Sequence, residues 1–505
     1  MRREGAGAVS EAPVLDRAEA AGSIAAPSAR FGPRYRWLLL MSLMVGTIAS
    51  VMSSTIVNVA IPDMSHHFAL GQERAQWVSS GFMVAMTVAM LSTPWLLSRF
   101  GYRRTYVGTM TLLLIGGIAG GLAPWYPLVL AARVAEGLAA GAVQPIPAII
   151  MLRAFEPSEQ GRASGMFGMG VVLAPALGPS VGGLLVDAFG WRSIFFMVVP
   201  FCIASFILAY RYVPDAAPGG GAAQRGASLD WRGLALATGG TLCLLNGLVE
   251  LHGASHLSAF VLLALAAVAL VAFIAWQKRQ SRTGGEPLMN LSLFGYRTYA
   301  MGTIVAFIYG TALFGSTYLL PVYMQVGLKL PASHVGTILL PAGLVLAFTI
   351  GGVGRLTRRL PTYVLVTTGL VLLTASFALM PTVGLGTPLA LLVTWAIVGR
   401  VGLGFILPSL NLGAMRPLGK ELIPHGASAI NFLRMLGGAA GVSLCAIVLE
   451  WRIAAHGDSL ANPETSAARL AAFNESFFLL AAVCALAVVA AWQLRDPPRN
   501  AAPRE

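Results

Sequence analysis

The sequence predicts an all-α polytopic membrane protein, with fourteen transmembrane helices in two six-helix bundles and an inserted two-helix hairpin. Three observations carry that expectation. Hydrophobic residues fill 56% of the 505 positions and charged residues 11%, at a mean hydropathy of +0.73, whereas soluble domains carry about 25% charge. Apolar runs of about 19 residues, long enough to cross a bilayer as helix, recur along the whole chain. Most of the 34 lysines and arginines fall in alternate connections, while the other connections hold Arg74, Arg192, Lys329, Arg452 and Arg469. That asymmetry places both termini in the cytoplasm of a multi-pass membrane protein, whose expected location is the cell (inner) membrane. The net charge of +13 is thereby a topology signal and not a nucleic-acid footprint.

The spans fall near 37–60, 78–97, 105–124, 128–151, 163–187, 193–210, 233–251, 256–276, 298–321, 335–354, 362–381, 389–412, 426–449 and 474–493. Composition then divides the chain. Residues 1–34, rich in Ala, Gly, Pro and Ser, read as a disordered cytoplasmic tail with no signal-peptide core. Residues 35–212 form the first bundle, 213–232 a Gly/Ala/Pro linker, 233–277 the hairpin, 278–297 a second linker, 298–494 the second bundle and 495–505 a tail. Cys202, Cys243, Cys445 and Cys484 all fall within spans and have neither disulfide nor metal spacing, so no metal or other cofactor is expected.

The first span carries Gly46, Ser50, Ser53, Ser54 and Asn58 on about half its circumference and ends at Pro62-Asp63. Small polar residues on one side of a membrane helix face protein or water, so the serines read equally as packing or as cavity lining, and Asn58 as cavity. His66 and His67 follow in an outer loop. Between the second and third spans, Arg99-Phe-Gly101-Tyr-Arg103-Arg104 reads as a tight glycine turn whose arginines pair with a neighbouring helix end, a cytoplasmic gate.

Arg133, Glu136, Gly137, Ala140 and Gln144 share one face of the fourth span. An ionisable group within a span costs a few kcal/mol and faces a partner or a water-filled path. Arg133 and Glu136, three residues apart, can pair. The pattern fits a structural ion pair or a proton carrier: burial favours the neutral acid, the adjacent guanidinium favours the carboxylate, and a group balanced between them can load and release a proton. The fifth span reads Gly170-Val-Val-Leu-Ala-Pro175-Ala-Leu-Gly178-Pro179-Ser-Val-Gly182-Gly183. Glycines four apart flatten a helix face, and prolines survive where neighbours take up the freed carbonyls. Such a helix is either a packing helix or a moving seam between two halves.

The second half echoes the first. Gly351, Gly352, Gly354, Arg355, Arg358 and Arg359 repeat the Gly/Arg turn in the corresponding place, the weak internal symmetry of parallel six-helix repeats. Tyr309, Tyr318 and Tyr323 are membrane-interface anchors or pocket walls. Arg400 lies in the twelfth span, and Asn431, Arg434 and Gly438 share a face of the thirteenth.

Taken together, Thr55-Ile-Val-Asn58-Val-Ala-Ile-Pro62, Arg99-Phe-Gly101-Tyr-Arg103-Arg104, Arg133-Val-Ala-Glu136-Gly137, the glycine-proline run from Gly170 to Gly183, Trp191-Arg192-Ser-Ile-Phe-Phe, Leu291-Ser-Leu-Phe294 and Asn431-Phe-Leu-Arg434 make residues 35–495 resemble the major facilitator superfamily. Within it, the chain is similar to the fourteen-helix drug:proton antiporters of the EmrB/QacA type. The resemblance implies alternating access and export of small amphipathic compounds against a proton gradient. Its partners would be a small-molecule substrate, protons and the bilayer, with a periplasmic adaptor and outer-membrane channel as some relatives use. Three departures bear on mechanism. The first-helix Asp of the family is Ser53 here, Pro94 and Ser98 replace the Gly and Asp of the second-turn motif, and Glu136 stands where the family has Gln. A carboxylate has gone from the first helix and another has appeared in the fourth, so Glu136, with Arg133, is expected to carry proton coupling.

Ser53, Asn58, Gln144, Tyr309, Asn431 and Arg434 are the expected substrate-cavity residues. Arg133, Arg400 and Arg434 against Glu136 leave the interior net positive, which favours anionic, zwitterionic or neutral phenolic cargo over lipophilic cations. ATP-driven transport is disfavoured, because Lys278, Lys329 and Lys420 lie in no phosphate-binding loop. No metal cluster or nucleophile elbow suggests an enzyme, and a non-transporting membrane sensor is the remaining alternative.

Overall fold

The computed structural model describes residues 32–216, 228–251, 256–384, 386–458 and 466–495; residues 1–31 and 496–505 of the expected tails and 217–227 of the first linker lie outside them, and Gly32–Arg34 of the expected disordered tail form a short 3-10 helix that leads into the first span. The described residues form fifteen α-helices. In the first half these are α1 (Tyr35–His67), α2 (Gln72–Phe100), α3 (Tyr102–Leu122), α4 (Tyr126–Val143), α5 (Ile146–Ala154), α6 (Pro157–Phe189) and α7 (Ser193–Tyr212). Next come α8 (Trp231–Glu250) and α9 (His256–Arg282). The last six are α10 (Arg297–Val322), α11 (Ala332–Leu356), α12 (Thr362–Leu379), α13 (Leu389–Met415), α14 (Ile423–Ala455) and α15 (Ala467–Trp492). Among the described residues 13 helical segments are long and apolar enough to cross a membrane, and α6 adds another long helix of 33 residues.

Two details depart from the sequence reading. α1 runs through Pro62 and contains His66 and His67, which were expected in a loop. There His67 packs edge-on against Phe68 and lies against Trp191, so aromatic packing extends the helix beyond its proline. The fourth span is broken at Gln144-Pro145 into α4 and α5, because proline at 145 and 147 removes the backbone donors that would continue it.

The helices pack as two like bundles. α1 packs on α6 and α7, α2 on α4, and α3 on α4 and α7; in the second half α10 packs on α14, α11 on α13, and α12 on α13 and α15. This is the same scheme repeated. The bundles meet where α6 crosses α11 and where α2 crosses α14, and the α8/α9 pair lies against the second seam through α8. α9 leaves Leu257, Leu265, Val268 and Val271 at least half exposed, an apolar surface that lipid satisfies and water does not.

Tyr35 Oη donates to Tyr212 O at 2.8 Å and Arg297 Nε to Gln493 Oε1 at 3.0 Å. These bonds set the starts of α1 and α10 beside the ends of α7 and α15, on one face of the molecule, here the terminal face. Gly101 turns the chain there at φ +79°, and the NH groups of Tyr102 and Arg103 donate to Asp215 O and Pro214 O, both at 3.1 Å. A Cβ at Gly101 would sit 2.5 Å from Asp215 O. Gly101→Ala therefore combines left-handed backbone strain with a clash and is expected to destabilise the fold by about 1–2 kcal/mol, read as a lowered thermal unfolding midpoint in detergent.

Candidate functional site: two buried basic centres

The first centre is built on α4. Arg133 and Glu136 lie three residues apart on its inward face, and Arg133 Nη1 donates to Glu136 Oε2 at 2.5 Å and to Ser53 Oγ of α1 at 2.8 Å. Arg133 Nε donates to Val78 O of α2 at 3.2 Å, and its guanidinium lies 4.2 Å from the centre of the Phe82 ring, a cation–π contact. Glu136 fits because α3 is thinned by glycine beside it: a Cβ on Gly116 would lie 2.7 Å from Glu136 Cγ. The pair is 1% and 0% exposed, and Arg133 Nη2 and Glu136 Oε1 make no hydrogen bond among the described residues.

Of the two settings the sequence allowed, a partner or a water-filled path, the structure shows the partner. The pair does not face a wet path between the bundles; it is sealed inside the first bundle, among α1, α2, α3 and α4. The crevice that reaches it, lined by Ser53, Ile56, Val57, Ile194 and Phe195, is too narrow for water in this conformation. Ser53 is accordingly a member of the ion-pair network, and the crevice it lines has no room for a substrate. Asn58 is exposed toward the opposite face and accepts from Ser79 Oγ at 3.0 Å, and Gln144 is half-buried at the break after α4. Neither joins the centre.

The second centre belongs to the second bundle. Tyr309 of α10 is buried and lies within electrostatic range of Arg400 on α13 and Arg434 on α14. Arg434 Nη2 donates to Asn431 Oδ1 at 2.7 Å, and Asn431 Nδ2 to Ala427 O at 2.7 Å. The structure thus brings three expected cavity residues, Tyr309, Asn431 and Arg434, together and adds Arg400. Both arginines are partly exposed. The guanidinium of Arg400 has no hydrogen bond or ion pair among the described residues, and beside it runs a crevice with room for about one water, lined by Ser316, Ser376 and Leu403 among others.

The expected seam and gate are also placed differently. Within α6, Gly170 abuts Met44, Gly178 abuts Thr55 and Gly182 abuts Ile56, all on α1 of the same bundle; Gly183 meets nothing, and the side chains of Pro175 and Pro179 lie outside the described residues. The close approach between bundles occurs one to two turns earlier. A Cβ on Gly165 would lie 2.8 Å from Gly354 Cα, and one on Gly354 would lie 2.6 Å from Gly165 Cα, with Gly161 in the same contact. The sequence signal for this contact is Gly161 and Gly165 at a spacing of four, opposite Gly351 and Gly354. Arg103 pairs with Asp215 at 2.9 Å and donates to Val213 O at 2.7 Å, so the Gly101 turn clamps its own bundle and Arg104 points outward, exposed. Arg153 does reach across the bundles there: its Nε donates to Lys420 O at 3.1 Å.

Two parallel helical bundles, glycine-paired on one face, with a charged centre in each half, define the class: a polytopic membrane protein of the transporter kind. Residues 43–442 match the Major Facilitator Superfamily, and the chain belongs to that family. Curated relatives include the uncharacterized transporter YcnB of Bacillus subtilis, 26% identical over 93% of this chain and 97% of its own. The lincomycin resistance protein LmrB of the same organism is 25% identical over 81% and 85%. The multidrug resistance protein B homolog of Mycobacterium tuberculosis is 29% identical over 87% and 82%. Among solved structures, the human organic anion transporter MFSD10 superposes with a TM-score of 0.62 at 14% identity, over 90% of this chain and 99% of its own. The proton:xylose symporter XylE superposes at 0.59 and 12%, over 90% and 94%. At such identities these two structures speak for the fold alone.

Proposed function

We propose that the chain is a proton-coupled exporter of small amphipathic compounds, a drug or toxic-metabolite antiporter, working by alternating access in the cell inner membrane with its terminal face toward the cytoplasm. The observation that supports the reading is an ionisable pair, Arg133 and Glu136 with Ser53, held within membrane-spanning helices. An ion pair taken out of water is costly, and each half left alone is costlier still. Protonating Glu136 removes the carboxylate charge, frees Arg133 from its partner and so links proton loading to repacking of α1 against α4. The names of the resistance-protein relatives support drug efflux as the task.

In the conformation described, the bundles touch at the terminal face through Gly161, Gly165 and Gly354, which fits the stage in which cargo leaves on the opposite side. One charge moved through about 100 mV supplies about 2.3 kcal/mol, close to a fifty-fold gradient, without ATP. A periplasmic adaptor and outer-membrane channel would extend the route across the envelope.

Flux of N-phenyl-1-naphthylamine, an uncharged amphipathic dye, in proteoliposomes tests the reading. An imposed pH gradient is expected to drive its accumulation and a protonophore to abolish it. Dye movement that ignores the gradient would overturn proton coupling.

A further inference from the structure

The two charged centres are related by the internal repeat, and the comparison singles out Arg400. Arg133-Val-Ala-Glu136-Gly137 on α4 corresponds to Arg400-Val-Gly-Leu403-Gly404 on α13, the matching helix of the second bundle. Thr105-Tyr-Val107 of α3 corresponds to Thr362-Tyr-Val364 of α12, and that register sets Leu373 where the first bundle has Gly116. Gly46-Thr-Ile48 of α1 corresponds to Gly302-Thr-Ile304 of α10, which sets Tyr309 where the first bundle has Ser53.

The arginine is therefore kept while its carboxylate partner is replaced by Leu403, and the glycine gap that admits the carboxylate is filled by Leu373. Both leucines line the crevice beside Arg400. No Asp or Glu occurs anywhere in α10, α11, α12 or α13. The one in α14, Glu450, is 16 residues from Arg434, about 24 Å along the helix. A second guanidinium, Arg434, with no counterpart in the first bundle, completes a centre of two cations and no anion.

A guanidinium kept within a membrane span without a counter-charge is expensive, and a partly exposed one is open to a transient partner. Next to Arg434, Met435 packs with Phe82, Met86 and Met90 of α2 and with Phe314 of α10 across the seam between bundles. Methionine and phenylalanine give that wall an adaptable apolar surface.

We propose that Arg400 and Arg434 bind the carboxylate or sulfonate of an amphipathic organic anion, with Tyr309 beside them and the apolar body of the ligand on the methionine-lined seam. The proposal names the cargo class of the exporter reading above and rests on it. The cargo anion takes in the second bundle the place that Glu136 takes in the first.

The test uses the full-length protein in nanodiscs of zwitterionic lipid, with 8-anilino-1-naphthalenesulfonate and N-phenyl-1-naphthylamine, which share their rings and differ in the sulfonate. Arg400→Gln is expected to weaken the sulfonate about ten-fold or more and to change the neutral dye by less than about two-fold. Leu403→Glu, which supplies Arg400 with an internal partner, is expected to do the same, and so is Arg434→Gln. Each variant is checked by its thermal unfolding midpoint, and Leu403→Glu and Arg434→Gln carry the test if Arg400→Gln does not fold. Sulfonate binding unchanged in the folded variants, or both dyes weakened equally, overturns the proposal. Proton-driven flux of the neutral dye in the same variants reads the exporter function separately, so loss of one reading leaves the other standing.

Discussion

Glu136→Gln is expected to abolish proton-driven accumulation while leaving the protein folded and able to exchange substrate downhill. The glutamine keeps an oxygen for Arg133 Nη1 and a shape that fits beside Gly116, where Glu136 now sits with its partner at 2.5 Å. What it loses is the ionisable group. Uphill accumulation of the neutral dye should fall from about fifty-fold at about 100 mV to about one, measured in proteoliposomes with counterflow as the control for binding and movement. Arg133→Gln is the contrasting variant. It leaves a buried carboxylate without its cation, and truncating one member of a buried pair costs about 3–5 kcal/mol, so this change should appear first in the unfolding midpoint. Full uphill transport by Glu136→Gln would make the pair a structural brace and move proton coupling elsewhere.

The second large effect is expected at the glycine contact between the bundles. Gly354→Val introduces a branched side chain where even a single Cβ would lie 2.6 Å from Gly165 Cα. Backbone lies on the other side of the contact, so no side chain can swing away to make room. The substitution should hold the terminal face apart, lower turnover at least about ten-fold and leave cargo access from that face intact. Cysteine accessibility reads this directly: a reporter cysteine at Thr357 should react from the terminal face faster in the variant. Wild-type turnover in Gly354→Val would show that α6 and α11 do not need to close there.

Much of the architecture was legible in the sequence because a bilayer imposes its own rules. Apolar length, the side on which arginines gather and the repeated Gly/Arg turn all report constraints that act on each segment separately. Arg133 and Glu136 were legible as partners because three residues of helix put them on one face. Their surroundings were not. Whether that face looked at a cavity or into the first bundle depended on Gly116 of a different helix making room, and on Val78 and Phe82 of α2 covering the guanidinium.

The glycines show the same division. Their spacing in the fifth span correctly marked a face that another helix approaches closely, yet a flattened helix has more than one neighbour. Gly170, Gly178 and Gly182 turned out to receive α1, and the meeting with the second bundle fell to Gly161 and Gly165. Arg103 likewise found its partner in Asp215, beyond the end of α7, over 100 residues away in the chain.

By itself, then, the sequence determined the class of protein, the many-spanned helical architecture, the repeat and the chemistry of its ionisable groups, because hydropathy and helical spacing are local quantities. Only the tertiary structure decided which groups meet, that Glu136 is sealed from water in this conformation and that Arg400 stands without an internal counter-charge. Those outcomes depend on which helix faces which, and that is settled by the packing of whole bundles.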